Sequence, residues 1–300
     1  MGIPQQKQEL DFGLESAARE FQFSETDFRS LVALARERTG ISLSDSKRNL
    51  IYSRLSRRLR ALGMTSFRAY REYLASPEGA GEIEGFINSI STNLTKFFRE
   101  SHHFDHLRDR VALPFAQATS GKTGQRLRLW SAGCSTGEEP YSIAAVLRRA
   151  IPNIEQRDVR LLATDIDTDV LSKAAHGEYP AASIDDVPEN YRGTIQPKNQ
   201  AKNTRSPSGA VVMGDELKSL ISFRHLNLMD HPWPMRGQFD AIFCRNVMIY
   251  FDGPTKMALI DRFIDQLKPN GWLYIGHSES LLGTHRNLSH AGRTIYRRTP

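Results

Sequence analysis

Apolar positions along this chain follow two different periods. From residue 24 to 74 they recur at helical spacing. Ser24, followed by Asp27 and Phe28, makes a capped start for a run through Leu31, Leu34 and Ala35 that stops at Gly40. The spacing predicts a second helix over 46–62, with Ile51, Leu55, Leu59 and Leu62 on one stripe and Gly63 at its end. A third follows over 66–74, and Pro77, Gly79 and Gly81 mark a turn before another. Residues 23–85 therefore read as an all-helical domain behind a flexible tail over 1–22. Beyond Arg126 short apolar runs take over: LRLWSA (127–132), VRLLATD (159–165), SFRHLNL (222–228), FDAIFCRNVMIYF (239–251) and WLYIGHS (272–278). Helical stretches such as 254–267 separate the later runs, and TIYRR (294–298) closes the chain as one more strand. Apolar strands alternating with helices predict a parallel sheet covered on both faces, the doubly wound α/β arrangement. Residues 86–98 read as the linker into the second domain, over 99–300. The polar, basic segment 192–208, rich in Asn, Pro and Ser, stands outside the pattern.

Composition changes little in this picture. A chain of 300 residues with 39% hydrophobic and 25% charged residues is an ordinary globular composition. No run approaches the ~18 apolar residues of a membrane span, and the first residues lack a secretory pattern, so a cytoplasmic protein without membrane insertion is expected. Cys134 and Cys244 each lie in an apolar segment and read as reduced core thiols. His102-His103-x-x-His106 lacks the Glu of a zinc-protease helix, so no metal is expected. Charge is more telling. Between Ser46 and Arg71 stand eight Lys or Arg and no acid. Arg54, Arg57 and Arg60 point away from the apolar stripe of their helix, with Arg58 and Lys47 along its edge. An unbroken basic face leaves its own repulsion uncompensated and suits an anionic partner.

In a doubly wound sheet ligands bind beyond the carboxyl ends of the strands. After the first strand comes Gly133-Cys134-Ser135-Thr136-Gly137-Glu138-Glu139-Pro140. Its two glycines allow a tight turn and close backbone approach. The loop is neither the glycine pattern of dinucleotide enzymes nor a phosphate loop with Lys. Two glutamates would repel a phosphate but suit a cationic ligand without one, and S-adenosylmethionine is such a ligand. The second strand ends in Asp165-Ile166-Asp167, where such folds hold ribose hydroxyls.

The run WSAGCSTGEEPYSIA (130–144) resembles the signature of the CheR family of chemotaxis receptor methyltransferases. So do NLTKFFRE (93–100), Asp165-Ile166-Asp167, FDAIFCRNVMIYF (239–251) and GHSES (276–280). The resemblance spans about 23–298. It implies a helical N-terminal domain and a Rossmann-like class I S-adenosylmethionine methyltransferase domain with a small antiparallel β-subdomain inserted over 192–220. It carries cofactor contacts onto Asn93, Thr95, Arg99, Glu139, Asp165, Asn227, Leu228, Arg245 and Asn246, and catalytic roles onto Arg99 and Tyr250. The implied reaction turns S-adenosylmethionine into S-adenosylhomocysteine while esterifying glutamates on Glu-rich methylation helices in the cytoplasmic domain of chemoreceptors. Arg54, Arg57 and Arg60 are the candidate substrate-binding face, and a receptor C-terminal peptide is a second candidate contact. A monomer that binds no nucleic acid is expected.

The chemistry agrees with the residues. A glutamate is already ionised at pH 7, so methyl transfer needs alignment of oxygen, methyl and sulfur and no general base. Two rivals are a nucleic-acid methyltransferase, suggested by the basic helix and a pI near 9.4, and a non-catalytic module that senses S-adenosylmethionine. Against the first, Arg245-Asn246-Val247-Met248 stands where base methylases carry an Asn-Pro-Pro-Tyr-like stretch.

Overall fold

A computed structural model describes residues 19–118, 125–195, 209–279, 281 and 285–300. The chain forms two compact units, Met1–Ser91 and Thr92–Pro300. In the first, helix α1 (Glu25–Thr39) opens with a reciprocal cap. The Ser24 hydroxyl accepts the Asp27 N–H at 3.1 Å and the Asp27 carboxylate accepts the Ser24 N–H at 3.0 Å. It ends at Gly40, whose φ of 72° lets its N–H reach the Arg36 carbonyl. Helices α2 (Arg48–Ala61), α3 (Phe67–Ala75) and α4 (Glu82–Ile90) follow. As the pattern predicted, α2 buries Ile51, Leu55 and Leu59, which pack with Phe28, Leu31, Phe67, Tyr70 and Phe86.

Two expected boundaries move. Helix α4 buries Phe86 and Ile90 in this core, so the helical unit runs past residue 85 to Ser91. Of the expected tail, residues 1–18 lie outside the described residues. Residues 19–22 are anchored, because Phe21 is buried against Phe67 and its N–H donates to the Tyr52 hydroxyl at 3.2 Å.

The second unit is built on a seven-stranded sheet. Its strands are β1 (Arg126–Ala132), β2 (Asp158–Asp165), β5 (Ile221–His225), β6 (Phe239–Cys244), β7 (Leu267–Ile275), β8 (Leu288–Gly292) and β9 (Ile295–Arg298), in the order β5-β2-β1-β6-β7-β9-β8. The first five run parallel and β9 joins β7 antiparallel. Strand direction from β1 leads to β2 and β5 on one side and to β6 and β7 on the other, so the crevice at which ligands bind opens beyond the end of β1. One face is covered by the helix after β1 (Glu138–Ala150), which buries Tyr141, Ile143, Ala144, Ala145, Val146 and Leu147. On the other, Trp130 meets Trp233 and Phe263 at ring distances of 5.0 and 5.3 Å, and its N–H donates to the Thr164 hydroxyl.

Strand ends depart from the apolar runs in ways that matter for the site. β5 stops at His225 and β6 at Cys244, leaving 226–228 and 245–251 as turns. β7 starts at Leu267, ahead of the apolar run at 272–278, and carries a register shift opposite Phe239 and Ala241 and a left-handed Asn270 (φ 66°). β8 was not anticipated, since Leu288 is its one buried residue. A separate antiparallel pair joins β3 (Glu178–Tyr179) to β4 (Val211–Val212). The small inserted sheet therefore draws its first strand from before residue 192, and residues 196–208 of that insertion lie outside the described residues. Cys134 and Cys244 are free and buried, and burial raises both thiols. No helix among the described residues is long and apolar enough to cross a membrane.

Candidate active site

The loop after β1 turns on two left-handed glycines, Gly133 (φ 80°) and Gly137 (φ 101°). Each is also required by space: a Cβ on Gly133 would meet Val247 at 2.3 Å, and one on Gly137 the Tyr179 hydroxyl at 2.6 Å. The N–H groups of Gly133 and Cys134 donate to the Thr164 carbonyl at 2.8 and 2.9 Å, which lashes the loop to the end of β2. Asp165 completes that junction. It is buried, and its two carboxylate oxygens accept the N–H groups of Ser135 at 2.8 Å and Asp167 at 3.0 Å. The carboxylate keeps acceptor capacity beyond its backbone donors, which a ribose hydroxyl needs. Burial pushes the Asp165 carboxyl up, and the backbone donors oppose this.

Asn93 joins the same junction from the start of the unit. Its amide donates to Asp167 at 2.7 Å and its carbonyl accepts the Ser135 hydroxyl at 2.9 Å. Leu226 donates its N–H to the Asp165 carbonyl at 3.0 Å, which brings Asn227 and Leu228 to the same end of the sheet. Thr95 lies in the segment between Asn93 and Arg99, half-buried.

Arg245 follows β6 and is almost wholly buried. Its guanidinium donates to Glu139 at 2.9 Å and to the Arg99 carbonyl, with Glu100 at 3.5 Å. Ser131 donates to the other Glu139 oxygen at 2.7 Å. Burial raises the Glu139 carboxyl, and the Arg245 charge pulls it back. Burial also pushes Glu100 up, but Arg245 and the His277 ring outweigh it, and Glu100 sits below its usual range. Arg99 occupies an unusual turn: Phe98 before it and Glu100 after it are both left-handed, at φ 50° and 58°. Such backbone costs of order 1–3 kcal/mol per residue and persists where the surroundings enforce it. Here the Phe98 N–H is held by Ser142 at 3.0 Å and the Arg99 carbonyl by Arg245. The Arg99 side chain stays half-exposed, with one N–H on the Leu94 carbonyl at 3.0 Å.

The turn after β6 carries left-handed Asn246 (φ 60°) and a single 3₁₀ turn, Met248–Tyr250. The Tyr250 ring is half-buried, and its hydroxyl has no hydrogen-bond partner among the described residues. Reasoning from the sequence gave no role to Glu279, which the structure buries beneath this turn. It accepts N–H groups from Gly276 at 2.7 Å, Asn246 at 2.8 Å and Ile249 at 3.1 Å. Glu100 has no sequence signal for its role either. Only position in a motif singled out either residue, because nothing in a sequence tells a buried acid from an exposed one. Glu100, His102 and His103 bring one ligand atom each within 4.8 Å of one another. A cation there would face Arg245, whose guanidinium is already 3.5 Å from Glu100.

The proposed arginine face belongs to the other unit, and its charges are not uncompensated. Arg48, Arg58, Arg60, Arg68 and Arg71 pair with Glu25, Glu82, Glu20, Glu72 and Asp27. The acids come from outside the stretch 46–71 or from its far edge, so the local count of charge misjudged the face. Arg54 donates to the Ile90 and Ser91 carbonyls at 2.7 and 2.8 Å, closing the end of α4. Arg57 is exposed, without an ion pair among the described residues.

The cradle after β1 offers no lysine to a phosphate. It offers backbone turned by glycines, a buried acid with spare acceptor positions and acids nearby, which fits a nucleoside carrying positive charge. The fold and this cradle define a methyltransferase that uses S-adenosylmethionine. Residues 93–297 match the family model described as the CheR methyltransferase, SAM binding domain, and residues 26–91 the CheR methyltransferase, all-alpha domain. The chain belongs to the CheR methyltransferase family. A probable chemotaxis protein methyltransferase of Rhizobium etli is 42% identical over 87% of this chain and 95% of its own length. The chemotaxis protein methyltransferase of Escherichia coli is 42% identical over 91% of each chain. Chemotaxis protein methyltransferase 2 of Pseudomonas aeruginosa is 40% identical over 93% of this chain and 95% of its own.

Proposed function

We propose that this enzyme methyl-esterifies glutamate side chains on the methylation helices of chemoreceptors, with Arg99 and Tyr250 as its catalytic residues. Membership of the family sets the reaction class, and the turn at Arg99 supports the substrate. Strained backbone on both sides fixes the turn that carries Arg99, and its half-exposed guanidinium supplies the cation that an incoming carboxylate needs. Bound S-adenosylmethionine supplies a sulfonium methyl that passes to a carboxylate oxygen: a C–O bond forms, the C–S bond breaks and S-adenosylhomocysteine leaves. Arg99 orients the carboxylate by charge, and the Tyr250 hydroxyl completes that orientation. Asp165 holds the nucleoside, while Asn93, Asn227 and Asn246 line the same strand ends. Neither Arg99 nor Tyr250 moves a proton, so the rate shows no step near pH 7 from a catalytic base.

The test is labelled S-adenosylmethionine with a receptor cytoplasmic fragment. Label should enter the protein and leave as methanol in alkali. Tyr250→Phe should lower the single-turnover rate roughly 10- to 100-fold with little loss of cofactor affinity, and Arg99→Ala should lower both. Alkali-stable label would point to an amine or nucleic-acid acceptor and sink the ester reading.

A further inference from the structure

We infer that Glu279 is a positioning residue for methyl transfer, setting the place of the Tyr250 hydroxyl through the turn after β6; this rests on the catalytic role proposed for Tyr250. Glu279 comes from a different loop, the 3₁₀ turn His277–Glu279 after β7. The residue is 7% exposed, and its carboxylate receives three backbone N–H groups. Oε2 takes those of Asn246 and Gly276 at 2.8 and 2.7 Å, and Oε1 takes that of Ile249 at 3.1 Å. One carboxylate therefore ties the ends of two neighbouring parallel strands to each other and fixes both ends of the short stretch from Asn246 to Ile249. Tyr250 is the next residue, and its own N–H is held only within the turn, on the Val247 carbonyl at 3.2 Å.

Two further features show how closely the parts fit. Asn246 needs its left-handed backbone (φ 60°) for its N–H to face Glu279. Gly276 has no room for a side chain, since a Cβ there would lie 2.7 Å from both Asn246 Nδ2 and Glu279 Oε2 and 2.9 Å from the Asn246 backbone nitrogen. Three backbone N–H donors require an acceptor at both oxygens. A glutamine in place of Glu279 turns one of them into an NH₂ group facing an N–H, which pushes the turn away instead of holding it. An ångström of displacement at a reacting group is enough to cost about 100-fold in rate.

The experiment measures single-turnover methylation and S-adenosylhomocysteine affinity, well below the melting temperature, for Glu279→Gln, Tyr250→Phe and the double variant. Glu279→Gln should slow transfer by about as much as Tyr250→Phe does, roughly 10- to 100-fold, and change product affinity less than about 3-fold. In the Tyr250→Phe background the same change should cost about 3-fold or less, because there is no hydroxyl left to misplace. Gly276→Ala disturbs the same contact while keeping the carboxylate. It should show the same pattern at about 10-fold, which keeps the test alive if Glu279→Gln folds poorly. Full turnover in Glu279→Gln beside a slow Tyr250→Phe overturns the inference alone, as do effects that multiply in the double variant or a product affinity that falls as far as the rate. Full turnover in Tyr250→Phe overturns the catalytic reading together with it.

Discussion

Arginine does opposite work in the two units. In the helical unit Arg60 meets Glu20 and Arg68 meets Glu72 with every partner at least half exposed, and the outermost charges stand in water. In the catalytic unit Arg245 is 2% exposed, against Glu139 at 11% and Glu100 at 12%. An exposed pair gains little, because water solvates the separated charges nearly as well. A buried pair has lost that alternative, so its net contribution is modest but removal of one partner strands the other. The crowd of arginines is thus the less consequential feature for stability, and the single buried one the more.

The sharpest way to break this contrast is Arg245→Ala. It leaves Glu139 buried beside Glu100, releases the Arg99 carbonyl and frees a turn that is already strained. A loss of about 3–5 kcal/mol is expected. Denaturant unfolding of the full chain should show it, and methylation should be lost even at temperatures where the variant stays folded. A loss near the few tenths expected of a surface arginine would mean the buried network is dispensable.

What the sequence revealed, and what it hid, follows the same division. Helix stripes, strand runs and the glycine turn were legible because they are local and periodic: Ile51, Leu55 and Leu59 face the core as their spacing requires. The loop at Gly133, Asp165 and the Arg99 turn were legible as motifs. Pairing was not. Glu20, Glu25 and Glu82 lie outside the basic stretch they neutralise, and the fold alone brings them to it. The role of Glu279 was hidden for the same reason, since its three donors come from two loops. β8 escaped because an edge strand with one buried residue carries almost no apolar signal.

A second contrast lies in titration. His103 is fully buried in the catalytic unit, and burial, reinforced by Arg245 and His102, holds it down to about 3. Burial, with Arg110, likewise brings His106 to about 4. An unfolded histidine binds its proton near pH 6.5. Below that pH the unfolded chain takes up protons that the folded one refuses, so this stability is complete above about pH 6.5 and is lost as pH falls towards the folded values. The limiting slope is about 1.4 kcal/mol per pH unit for each histidine. Buried Glu139 and Asp165, raised by burial, work in the opposite sense, so the comparison is best made by difference. Between pH 6.5 and 5, His103→Gln should lose about 2 kcal/mol less stability than wild type. Parallel unfolding profiles for the two proteins would show that His103 is not the group responsible.

The smallest effect on stability belongs to the arginine face, and that makes it the cleanest probe of docking. Reversing Arg54, Arg57 and Arg60 together would confuse two causes, because Arg54 closes the end of α4 and Arg60 grips Glu20 with both Nε and Nη2. Arg57 has no such duty among the described residues. Arg57→Glu should move the melting temperature by no more than about 2 °C. If this face meets Glu-rich helices, the same change places acid against acid, and the KM for receptor should rise about 3- to 10-fold at low ionic strength. The difference should shrink as salt screens exposed charges, and S-adenosylhomocysteine affinity should not move. A normal KM in Arg57→Glu beside a raised one in Arg54→Glu would trace the effect to a loosened α4, and the face would then be a solvated surface with no part in recognising the substrate.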